Sequence, residues 1–138
     1  MNNYIDTLNE TIKSYYKILS EDFPEFLNEY INTPAMLKQS KISVSCGTIY
    51  SKMYNQMWYS SLDHSIAVSL IIWHFTKDKK QTLAGLFHDI ATPVFKHSID
   101  FMNKDYEKQE STEELTTKII QDSEELMYLL NRDGIKVE

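Results

Sequence analysis

The chain has 138 residues, 42% of them hydrophobic, and carries a formal net charge of −6 with a pI near 5.2. That size suits a single domain with a sizeable core, and the acidic balance argues against a general nucleic-acid binder. No apolar run reaches the ~18 residues of a membrane span; Met1 to Glu10 lack the features of a signal peptide, and the lone Cys46 excludes an internal disulfide, so a soluble cytoplasmic protein is expected.

Residues 3–19 predict an amphipathic helix, with Ile5, Leu8, Ile12, Tyr15, Tyr16 and Leu19 on one side. Pro24 and Pro34 each open a short helix. Residues 40–60 lose helical periodicity and predict a loop, with a short hairpin near 41–58 as an option. Tyr50, Tyr54, Trp58 and Tyr59 there could line a pocket, although covering the core is the commoner use of such residues. From Ser60 or Ser61 a strongly apolar helix runs through SSLDHSIAVSLIIWHF. His64, Ala67, Val68, Ile71 and Phe75 share one of its faces, and His74 falls ~80° off that face, which suggests a structural role.

The charged turn KDKK, Lys77 to Lys80, joins this helix to the next, and the expected antiparallel pair spans 61–78 and 80–91. In the second helix Leu83, Leu86, Phe87 and Ile90 form a core-facing stripe. Small residues at 84 and 85 would let another helix come close to His88. His88 and Asp89 are adjacent within an apolar run, where an unpaired imidazole or carboxylate is costly. A divalent metal suits both, since neutral imidazole and carboxylate are common ligands. Pro93 stops the helix, and Thr92 as N-cap with Pro93 at N1 can start another. On it His97 and Asp100 form an i, i+3 pair. After a polar loop, Ser111 and Glu114 fit a capping box. The helix they open carries Leu115, Ile119 and Ile120, and after a break Leu126, Leu129 and Leu130, with Gly134 ending it.

The segment HDIATPVFKHSID, with the upstream LDHSIAVSLIIWHF helix, resembles the signature of the HD-domain phosphohydrolases. Within them it is most similar to the deoxynucleotide triphosphohydrolase-like branch. The resemblance runs from about Leu37 to Glu114. It implies an all-α, HD-domain-like helical bundle forming one domain over 1–138. It implies that His64, His88 and Asp89 ligate one divalent ion (Mn, Fe, Co, Ni, Zn or Mg), and that His97 and Asp100 orient water or protonate the leaving group, a structural role with His97 hydrogen-bonded to Asp100 under the metal site being the equal alternative. The family's final ligand, an aspartate on a later helix, has no match here, because Asp122 and Asp133 come too soon after the doublet; a fragmentary chain, a water in that position or a degenerate domain are the alternatives. The implied activity is hydrolysis of a nucleotide or other small phosphate ester, with homo-oligomerisation left open. The alternative is a degenerate, non-catalytic HD module that binds a nucleotide or protein partner. Ser61, Thr92 and Gln109 stand where the triphosphohydrolase-like branch usually has arginine, histidine and histidine.

Overall fold

The computed structural model describes residues 3–45, 51–53, 56–92 and 110–137, with side chains in the last segment described from 114. Among these residues the protein is all-α. The described residues form seven helices: α1 (Glu10–Leu19), α2 (Phe26–Ile31), α3 (Pro34–Leu37), α4 (Ser61–Thr76), α5 (Lys79–Phe87), α6 (Glu110–Asp122) and α7 (Glu124–Arg132). Two 3-10 turns, Tyr4–Thr7 and Lys38–Lys41, flank the first three.

The α4–α5 hairpin is the centre of the molecule. Ser60 caps α4 with a reciprocal capping box: its hydroxyl accepts from the Asp63 amide at 3.0 Å, and the Asp63 carboxylate accepts from the Ser60 amide at 2.9 Å. Lys77 ends α4 in the left-handed region at φ 49°. Asp78 immediately caps α5 by accepting from the Gln81 amide at 2.8 Å. One charged turn therefore supplies a C-cap and an N-cap, which makes a two-residue connection sufficient. The pair runs antiparallel as expected; α4 ends at Thr76, where Lys77 turns left-handed, and α5 stops short of its apolar pattern, since residues 88–91 form turns.

Gly85 explains how closely the two helices approach. A Cβ built there would lie 2.5 Å from Ile72 Cδ1 and 3.5 Å from Ser69 Cα. The expectation of close contact is met at Gly85, whereas Ala84 is exposed on the far side.

The core gathers Leu62, Ile66 and Leu70 of α4 with the stripe Leu83, Leu86, Phe87 and Ile90. Around it pack Ile12 and Tyr16, then Leu27, Tyr30 and Ile31, and finally Ile120, Leu126, Leu129 and Leu130. The face of α4 that carries His64 is less buried than its apolar residues suggest. Ile71 is 40% exposed and Phe75 80% exposed, because the neighbouring helices cover the opposite side. His74 is also exposed, with its ring against Phe75 rather than in the core.

Several expected boundaries move. The helix over 3–19 is two pieces, because Asn9 caps a new helix by accepting from the Ile12 amide while Leu8 is extended. Local hydrogen bonding from asparagine here outweighs the continuous apolar period. Tyr15 is consequently 43% exposed. Ser111 lies inside α6, which already starts at Glu110, so it is not the N-cap. The break before α7 falls at Ser123, which caps it. The hairpin option reduces, among the described residues, to one antiparallel bridge between Ser43 and Ser60. Cys46, Tyr50 and Tyr54 lie outside the described residues, and Tyr59 packs on the core.

Candidate metal centre

His64 sits on the first turn of α4, directly after the capping box. That turn is braced from the amino-terminal side. The Tyr4 hydroxyl donates to Asp63 Oδ1 at 2.7 Å, and the Tyr16 and Tyr59 hydroxyls donate to the Asp63 carbonyl at 3.0 and 3.2 Å. Burial pushes the Tyr4 hydroxyl far above its ordinary pKa, with the neighbouring Asp63 carboxylate adding to the shift, so it remains a proton donor.

His88 caps the carboxyl end of α5. Its Nδ1 lies 2.7 Å from the Gly85 carbonyl. A carbonyl can only accept, so Nδ1 carries the hydrogen, and in the neutral ring Nε2 presents a lone pair. Such a bond to the second ring nitrogen orients metal-ligating histidines generally. Asp89 is buried, and its two oxygens are differentiated. Oδ1 accepts from the Thr92 hydroxyl at 3.2 Å, while Oδ2 faces both imidazoles. The distances to Oδ2 are 3.3 Å from His88 Nε2 and 3.8 Å from His64 Nε2. The two rings stand 5.3 Å apart between centroids, at 61°.

One ligand atom from each of His64, His88 and Asp89 lies within 4.8 Å of the others. Donor atoms ~2.1 Å from a common ion are separated by roughly 3–4 Å, so this triangle is close to the size a divalent cation requires. Two neutral nitrogens and one carboxylate oxygen suit first-row divalent metals. The imidazoles are each about one-third or more exposed while Asp89 is nearly buried, so an ion held here would face solvent on the histidine side. The turn after α5 is anchored separately, because buried Gln39 donates through Nε2 to the Ile90 carbonyl at 2.7 Å.

Other residues singled out in the sequence stand apart. His97, Asp100 and Gln109 lie outside the described residues. Asp133 is held by Lys79 at 2.6 Å, by Arg132 and by the Tyr30 hydroxyl, and neither it nor Asp122 joins the cluster. Ser61, the first residue of α4, is completely buried. Thr92 donates its hydroxyl to Asp89, and the helix it was expected to cap from Pro93 lies outside the described residues. The i, i+3 spacing of Asp89 and Thr92 was the signal that could have indicated this bond. The Gly85 carbonyl had no such signal, since every helical residue has a carbonyl three positions earlier.

No helix among the described residues is long and apolar enough to cross a membrane. No curated protein and no solved structure matches the chain. The HD domain family matches residues 61–136, which is more than half of the chain and contains all three clustered side chains. HD domains bind divalent metals and include phosphohydrolases, and this chain belongs to the HD domain family.

Proposed function

We propose that this protein is a metal-dependent phosphohydrolase for a small phosphate ester or nucleotide, with His64, His88 and Asp89 holding one divalent ion. The observation that carries the reading is the convergence of the three donor atoms from the first turn of α4, the end of α5 and the turn after it, with His88 Nε2 and Asp89 Oδ2 turned towards each other. A bound divalent ion supplies polarisation of a phosphoryl oxygen and a lowered pKa for water.

The chain's own residues set the geometry. The Gly85 carbonyl keeps the His88 proton on Nδ1, and Thr92 holds one Asp89 oxygen so that the other faces the imidazoles. Tyr4, Tyr16 and Tyr59 steady the turn that carries His64. By the resemblance to HD-domain phosphohydrolases, His97 and Asp100 would orient water or protonate the leaving group.

Within this reading a phosphomonoester fits better than a deoxynucleoside triphosphate. Ser61 is buried, so that position offers no group to a polyphosphate. The same observation favours, as the second reading, a non-catalytic HD module that retains the site.

The test is metal analysis of the purified protein followed by phosphate release with Mn²⁺, Co²⁺, Ni²⁺ and Mg²⁺. One bound ion per chain and release of phosphate from p-nitrophenyl phosphate are expected. Stoichiometric metal without any hydrolysis would favour the non-catalytic module.

A further inference from the structure

A cleft of about 290 Å³ opens beside the metal cluster, and His88 belongs to both. Its α5 wall is one continuous helical stripe: Lys80, Leu83, Ala84, Phe87 and His88, spaced i, i+3, i+4, i+7 and i+8. Lys80 and His88 therefore mark its two ends, ~12 Å apart along the helix axis. The opposite wall comes from α6, with Thr116 and Thr117, and from the segment after Gly134, with Lys136. Between the ends the walls are apolar, with Phe87, Ile120 and Val137 among them.

Three features limit what such a cleft can hold. An apolar cavity of ~150 Å³ accommodates a benzene ring, so this volume accepts about two fused rings. Lys80 and Lys136 place cations at the cleft of a chain whose net charge is −6, which favours an electron-rich oxygen there. The only end shared with candidate metal ligands is the His88 end.

We propose that the cleft seats the leaving group of the phosphate ester: a planar ring system of up to two fused rings, its far edge carrying an oxygen acceptor for Lys80 or Lys136. The inference rests on the phosphohydrolase reading for the position of the phosphate at His88, but the cleft itself can be tested without metal or turnover.

The experiment titrates the 138-residue protein in chelator with methyl phosphate, 1-naphthyl phosphate and a carboxylate-bearing naphthyl phosphate, following amide chemical shifts. Naphthyl phosphate should bind at least roughly tenfold more tightly than methyl phosphate, from the apolar area its rings bury. The shifts should concentrate at Ala84, Thr116 and Thr117. Ala84→Trp, at an exposed position on the cleft wall, should bring the ratio near one. Lys80→Ala combined with Lys136→Ala should remove the extra affinity of the carboxylate compound and keep the ring preference. Equal binding of methyl and naphthyl phosphate overturns the proposal, as does a ring preference that survives Ala84→Trp in a folded variant. The two readings also fail separately. Ring preference in a protein that binds no metal and releases no phosphate leaves the cleft standing and removes the hydrolase. Hydrolysis with the same kcat/KM for methyl and naphthyl esters, unchanged by the lysine variants, removes the cleft alone.

Discussion

His64 and His88 are twenty-four positions apart in the sequence, yet their rings meet at 5.3 Å across the α4–α5 hairpin. The antiparallel pairing brings the first turn of one helix against the last turn of the other, and Asp89 completes the group from the turn that follows.

Metal content should depend on each member of this group. His88→Ala and Asp89→Ala are each expected to strip the ion, while His74→Ala, exposed and outside the cluster, retains it. Elemental analysis after dialysis checks this, and equal retention by all three variants would falsify the ligand assignment. Because histidine ligates only as the neutral imidazole, metal affinity should fall below about pH 6.

Gly85 should tolerate a methyl group and little more. Alanine gains roughly 1 kcal/mol of helix propensity. Its Cβ meets the end of the Ile72 side chain, which can rotate, while the nearest α4 backbone atom is at 3.5 Å. Gly85→Ala should therefore lie within about 1 kcal/mol of the parent. Gly85→Leu has to push α4 away and should cost about 3 kcal/mol or more. It should also weaken metal binding by separating His64 from His88. Denaturant unfolding and metal titration on both variants measure these effects, and a stable Gly85→Leu protein with undiminished affinity would contradict the close-packing account.

The Asp63 brace should matter for stability and for the site together. Tyr4→Phe leaves the buried carboxylate without its 2.7 Å donor, a loss of about 1–3 kcal/mol. The variant should bind metal less tightly than the parent at a temperature where both are folded. Unchanged stability would mean that water replaces the hydroxyl without cost.

Acid should release two surface locks. The hydrogen bonds from Lys77 and Trp73 hold Asp22 at a pKa of about 2. Arg132 holds Asp133 far below the ordinary carboxylate range, with Lys79 and Tyr30 adding to it. Both folded values are depressed, so the stabilisation is present above the unfolded value near 3.9 and is lost as pH falls below it. Asp133→Asn should therefore be less stable than the parent at pH 7, with the gap closing towards pH 2. A gap independent of pH in chemical denaturation would show that charge is not what Asp133 contributes.

Activity should discriminate between substrates. Loss of one well-placed electrostatic donor costs ~10²–10³ in rate at comparable sites, and Ser61 is buried where the related branch has arginine. Hydrolysis of p-nitrophenyl phosphate should exceed tripolyphosphate release from deoxynucleoside triphosphates. Fast tripolyphosphate release would show that Ser61 is no handicap.

Local patterns in the sequence determined the helical class, the α5 core stripe, a cap at Ser60 or Ser61, the short hairpin turn and the His88–Asp89 doublet, while the resemblance to HD-domain proteins added His64. These are legible because periodicity, capping chemistry and ligand type are properties of neighbouring residues. Tertiary structure decided the rest. It decided that the His64 face of α4 is half open, since burial depends on which neighbours arrive rather than on apolar content. It decided that Asn9 divides the first helix, where one side-chain hydrogen bond outweighed the period. It gave Thr92 to Asp89 and Gln39 to the Ile90 carbonyl. The Gln39 contact joins residues 51 positions apart, and no local pattern encodes it; only the packing of the chain on itself brings those atoms within hydrogen-bonding distance.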